Sequence, residues 1–129
     1  MYDKNTIASK QVYEREAMNA PYLLSVGYYP ELLQLRSHLL RQNGYVVREA
    51  GDFQTAMTMA RNDGSNLRLL LFCHTVPSAD QTQIMMALLR SHSVPTLSIC
   101  RLEAAGQVPG KPVSVSLEAL LAEVKQALQ

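Results

Sequence analysis

The stretch Leu69-Leu70-Leu71-Phe72-Cys73-His74-Thr75-Val76-Pro77 decides the fold of this chain. From Leu67 to Phe72 the sequence is apolar almost throughout, the composition of a strand covered by helices on both faces, so it reads as the centre of a sheet. It stops abruptly at a thiol and an imidazole before a proline turn. In a protein of alternating strands and helices, that kind of strand end is where ligands and chemistry sit.

Beyond the turn, Ser78-Ala79-Asp80-Gln81 has the pattern of a capping box, and Ile84, Met85, Leu88 and Leu89 line a helix that ends near Ser91. Residues 94–100 form a fourth strand, with Pro95 tolerable only near its beginning. Upstream, Tyr22 to Val26 is a buried first strand before Gly27. Pro30 then sits just inside a helix whose stripe is Leu32, Leu35, Leu39 and Leu40, terminated by Gly44. Residues 45–50 are a second strand, after which Asp52 caps a helix carrying Phe53, Ala56, Met57 and Ala60 and stopping near Asp63-Gly64. Residues 101–110, with two glycines and a proline, have room for one helical turn at most. Leu117, Leu120, Leu121, Val124 and Leu128 recur at helical spacing to the C-terminus.

This order predicts an α/β fold: a doubly wound parallel sheet of four clear strands with right-handed crossovers, a short and weakly signalled fifth strand, and a fourth helix shortened or missing. At 129 residues the chain suits one domain. That domain is expected over residues 21–129, and residues 1–20 read as a tail or a loosely attached helix. Hydrophobic residues make up 47% and charged residues 18%, so there is apolar material enough to fold. With 12 basic against 11 acidic residues spread along the chain, no charge patch points to nucleic acid or an anionic membrane. The apolar runs are strand-sized and the N-terminus is polar, so neither a membrane segment nor a signal peptide is expected, and the expected location is cytoplasmic. Two cysteines without CxxC spacing make neither a zinc knuckle nor a disulfide scaffold.

Four segments carry a family resemblance: Val26-Gly27-Tyr28-Tyr29-Pro30-Glu31-Leu32, Phe72-Cys73-His74-Thr75-Val76-Pro77, Val94-Pro95-Thr96-Leu97-Ser98-Ile99-Cys100, and Lys111-Pro112. With the element order from Pro21 to Leu128, they resemble the CheY-like receiver domain of bacterial response regulators, a flavodoxin-like fold. The resemblance implies an acidic pair at Gly27 and Tyr28, the phosphoaccepting aspartate at Cys73, a phosphoryl-contacting Thr or Ser at Cys100, and the phosphate-contacting lysine at Lys111. Only the lysine is retained. Phosphoryl transfer to a side chain needs an oxygen nucleophile and a Mg²⁺ held by carboxylates and waters. Gly27, Tyr28 and Cys73 offer no carboxylate, and a thiolate prefers softer metals.

The resemblance therefore implies a degenerate receiver pocket of Gly27, Tyr28, Cys73, Cys100 and Lys111, with no catalytic residue, metal or cofactor. The expected role is a non-catalytic signalling module of a two-component or phosphorelay-type system. It would act on a protein partner, a sensor kinase or another regulator, or pair as a homodimer. The alternative is a small sensor binding an anion, nucleotide or oxidant in the remodelled pocket. Cys73 and Cys100 end neighbouring strands in the family's strand order, so they form a candidate redox pair, with side-chain direction deciding whether they can bridge. A metal site of Cys73, Cys100 and His74 lacks a fourth ligand. Lys111 is either an anion contact or a solvated loop residue, and Tyr28 and Tyr29 are expected to fill space left by metal and phosphate. Asp52 and Asp80 read as helix caps.

Overall fold

The computed structural model describes residues 21–62, 66–89 and 93–129; the expected N-terminal tail and the helix terminators Asp63-Gly64 and Ser91 lie outside them. The elements are β1 (Tyr22–Val26), α1 (Pro30–Gln42), β2 (Val47–Ala50), α2 (Phe53–Asn62), β3 (Leu67–Phe72), α3 (Ser78–Leu89), β4 (Thr96–Ile99), a 3₁₀ segment (Leu102–Gln107), β5 (Lys111–Val113) and α4 (Leu117–Ala127). The five strands pair in parallel in the order β2-β1-β3-β4-β5, the flavodoxin-like arrangement. The fifth strand thus exists, and the 3₁₀ segment stands where a fourth full helix was expected to be shortened or missing.

Alternation along the strands splits the core into two layers. Leu24, Val26, Leu70 and Phe72 face α2 and α3, packing with Ala56, Met57, Ile84 and Leu88. Leu23, Leu69, Leu71, Leu97 and Ile99 face α1 and α4, packing with Leu40, Leu120 and Val124. Each such leucine taken from water is worth about 1.5–3 kcal/mol, so β3, buried on both faces, anchors the sheet. Among the described residues no helix is long and apolar enough to cross a membrane.

One expected stripe is corrected. Helix α1 buries Leu33, Arg36, Ser37 and Leu40, while Leu35 is 54% exposed. The cause lies at the end of β1. Leu33 packs beside Gly27, 3.5 Å from where a Cβ there would stand, which is ordinary van der Waals contact, so Leu33 is the leucine that α1 turns toward the end of β1. The leucine spacing alone favoured the wrong face because Leu32, Leu33, Leu35, Leu39 and Leu40 form two overlapping stripes.

Candidate functional site

Val26, Phe72 and Ser98 lie level across β1, β3 and β4, so the C-terminal ends of the three central strands form one rim. Gly27 and Cys73 follow directly, with the Cys73 N–H donating to Val26 O at 2.8 Å and the Gly27 N–H to Ala50 O at 3.1 Å. A Cβ on Gly27 would stand 3.0 Å from Cys73 Sγ. The thiol therefore occupies the space in which a side chain at Gly27 would start, and the two positions accommodate each other.

Tyr28 points to the other face of the sheet. Its N–H donates to Thr75 Oγ1 at 3.0 Å, and its hydroxyl donates to Asp80 Oδ2 at 2.8 Å, tying the β1–α1 turn to the first turn of α3. Asp80 is thus a hydrogen-bond acceptor for Tyr28, a correction to its expected capping role, whereas Asp52 caps α2 by accepting from the Thr55 N–H at 2.7 Å. Gln81, buried in α3, donates to Val76 O and accepts from the Ser98 hydroxyl. That hydroxyl also accepts from the Gly110 N–H, which links β4 to the start of β5.

Two expected members separate from the cluster. Lys111 opens β5 opposite Leu97, itself level with Leu71, two residues before Cys73. It stands about 7 Å lower along the strands and roughly 10 Å across the sheet from the thiol. Its Nζ forms an ion pair with Glu123 of α4 at 2.8 Å. The Lys-Pro pair therefore does not bring its ammonium to the rim.

The two cysteines are both buried and free. Cys73 continues the alternation of Leu69 and Leu71 toward α1 and α4, whereas Cys100 continues that of Ser98 toward α3. The thiols leave opposite faces of the sheet, so the redox pair is not assembled. Among the described residues no group of three or more His, Cys, Asp and Glu is placed to hold a metal ion.

The sequence reading missed a polar layer under Cys73. Ser25, Arg36 and Ser37 are buried between β1 and α1; among the described residues Ser25 Oγ, Arg36 Nη1 and Ser37 Oγ meet no nitrogen or oxygen partner, while Ser25 and Arg36 both act on the Cys73 thiol. Arg36 Nη2 lies 3.3 Å from His74 Nδ1. Buried polar groups are ordinarily satisfied, and here the Cys73 thiol is the group that Ser25 and Arg36 share. A polar pair at Arg36-Ser37 inside a leucine-rich helix was the available signal.

Burial pushes the Cys73 thiol up, with Arg36 and Ser25 pulling the other way. Burial, then the bond to Asp80, likewise holds the Tyr28 hydroxyl well above its ordinary value. Both groups ionise more easily in the unfolded chain. Their contribution to stability is therefore complete below the ordinary thiol range of about 8.5 and is lost as the pH rises toward the folded-state values. Denaturant titrations are expected to show stability falling from about pH 8.5 upward, Cys73 contributing at most about 1.4 kcal/mol per pH unit. Cys73→Ala should remove that part of the slope.

A scan against protein-family models finds no match, and neither does a comparison with curated proteins. Solved structures do match. The receiver domain of the hybrid histidine kinase CckA superposes with a TM-score of 0.70 at 22% identity, covering 84% of this chain and 99% of that one. This chain has the fold of a receiver domain. A CheY-like receiver domain from Methanospirillum hungatei follows at 0.66 and 18% identity, covering 84% of this chain and 94% of that one. CheY4 of Vibrio cholerae gives 0.65 at 19%, covering 84% and 99%. In this receiver fold the rim of Gly27, Tyr28 and Cys73 is the crevice outside the carboxyl ends of β1 and β3, where the strand order reverses and ligands of such sheets bind.

Proposed function

We propose that the chain is a pseudo-receiver: a non-catalytic signalling module on the receiver scaffold that works through protein-protein contact and does not take a phosphoryl group at the usual strand end. The observation that carries this reading is the fit of Gly27 to Cys73. The thiol fills the place where a side chain on β1 would begin, at 3.0 Å, so the rim has neither a carboxylate nucleophile nor room for the acidic partner beside it. A hard cation prefers several oxygen ligands, and Gly27, Tyr28 and Cys73 supply no carboxylate. The Tyr28–Asp80 bond engages a carboxylate of α3 with a phenol. What remains is a rigid α/β body whose ordinary chemistry has been replaced by packing, which suits recognition by another protein, a sensor kinase or another regulator.

Incubation of the full chain with acetyl phosphate and Mg²⁺, followed by intact mass measurement, tests this. The expected result is an unmodified chain. Stoichiometric, acid-stable and alkali-labile phosphorylation would overturn the reading.

A further inference from the structure

The leucine stripe that the spacing of α1 favours exists, but it faces outward. Leu35 is 54% exposed, Leu32 and Leu39 are half-buried, and none of the three packs in either core layer of the described residues. Their 3-4 spacing sets them one above the other along a 13-residue helix, as in the seam between two packed helices. An apolar row of this kind at the surface marks a contact site.

The polar residues beside the stripe match it to a second copy of itself. Glu31, in the first turn, and His38, seven residues on, are exposed on the same flank of the stripe. Glu31 accepts only a long bond from the Tyr29 hydroxyl at 3.4 Å, and His38 has no hydrogen-bond partner among the described residues. The two arginines of the helix are turned elsewhere, Arg36 inward to His74 and Arg41 to Val47 O and Glu49 of β2. The flank therefore carries an acid at its N-terminal end and a base toward its C-terminal end. Laid antiparallel about a two-fold axis at Leu35, two such helices bring Leu32 to Leu39 of the other copy and Glu31 to its His38, and symmetry makes each contact twice. The carboxylate accepts an imidazole N–H whether or not the ring is protonated. Opposite helix ends then also lie side by side, which favours this direction over the parallel one.

We propose that α1 is a self-association face: two copies of the chain pair antiparallel through Leu32, Leu35 and Leu39, with Glu31 of each beside His38 of the other. A helix of 13 residues is about 20 Å long, so the contact falls below the roughly 1,200 Å² of a stable complex and the dimer is weak, with a Kd of roughly 10 µM to 1 mM. At the low concentrations of a denaturant titration the chain is a monomer with Leu35 exposed. The inference names one partner for the contact module proposed above and rests on that reading for its use in signalling, while its geometry rests on α1 alone.

The test is sedimentation equilibrium of the full chain from about 10 µM to about 1 mM, the span in which a contact of this size saturates. A monomer–dimer equilibrium is expected. Leu35 is exposed in the monomer, so Leu35→Glu should fold, with an unchanged circular dichroism spectrum, and raise the Kd at least about tenfold by putting a charge into the apolar seam. Glu31→Lys should raise the Kd about fivefold or more, since two pairs are lost and replaced by cations facing His38. The double change Glu31→Lys with His38→Glu exchanges acid and base, and should return the Kd to within about twofold of the original. A chain that stays monomeric to the top of the range, a dimer indifferent to Leu35→Glu, or a double variant no tighter than Glu31→Lys alone would each overturn the proposal. A monomer that acetyl phosphate does not modify removes the self-association and leaves the pseudo-receiver reading standing. A dimer that is phosphorylated does the reverse.

Discussion

Leu70→Ala is expected to lower the unfolding free energy by about 3–4 kcal/mol, the cost of deleting a fully buried leucine where the surroundings cannot collapse. Leu70 lies midway along β3, level with Leu24 of β1 and Thr96 of β4, with no exposed surface and its N–H donating to Pro95 O at 3.0 Å. Rigid strands on both sides and helices α2 and α3 above leave the cavity open. Against a total stability of about 5–15 kcal/mol, this is a large fraction. Urea denaturation should show the midpoint falling with the slope unchanged. Leu35→Ala is the internal control: its side chain is 54% exposed, so the change should stay within about 0.5 kcal/mol. Equal losses at the two positions would contradict both the placement of β3 and the rotation of α1.

Gly27→Ala is expected to cost about 1–3 kcal/mol, the usual penalty for forcing a methyl group into a packed site. The new Cβ would meet Cys73 Sγ at 3.0 Å and Cys73 Cβ at 3.2 Å, with Leu33 Cβ in ordinary contact at 3.5 Å on the α1 side. Removing the sulfur relieves the tighter contact. In a double-mutant cycle, Cys73→Ala should therefore recover part of the loss, with a coupling of at least about 0.5 kcal/mol. Additive effects would mean that the two positions do not share the space assigned to them.

The fold was legible because its signals are strong and local. The apolar run of β3, Pro30 at the start of α1, and the glycines after β1 and before β2 each act through chain geometry or burial, and they point to the same alternation. The rim was legible in part: Gly27 and Cys73 come together because each follows directly on a strand end, and strand ends in a parallel sheet share one edge, while Tyr28, one residue further on, turns to the other face. Lys111 was not, because a Lys-Pro dipeptide does not specify its register. The register is set by the Gly110 N–H on Ser98 and by the pairing of Lys111 with Leu97, both long-range. The cysteines illustrate the same limit, since neighbouring strand ends are visible in sequence while the odd-even offset that sends the thiols to opposite faces depends on pairing. Arg36 was hidden for another reason. An arginine among leucines ordinarily lies on a solvated face, and the rotation of α1 that buries Leu33, Ser37 and Leu40 turns it inward to His74.

The central claim is that this receiver fold carries a strand-end rim without a site for a hard cation, and a Mg²⁺ titration of the full chain followed by NMR tests it most directly. With sodium at matched ionic strength as the control, the backbone signals of Tyr28, Cys73 and His74 are expected to show no saturable response to Mg²⁺. A saturable shift confined to those residues would contradict the account.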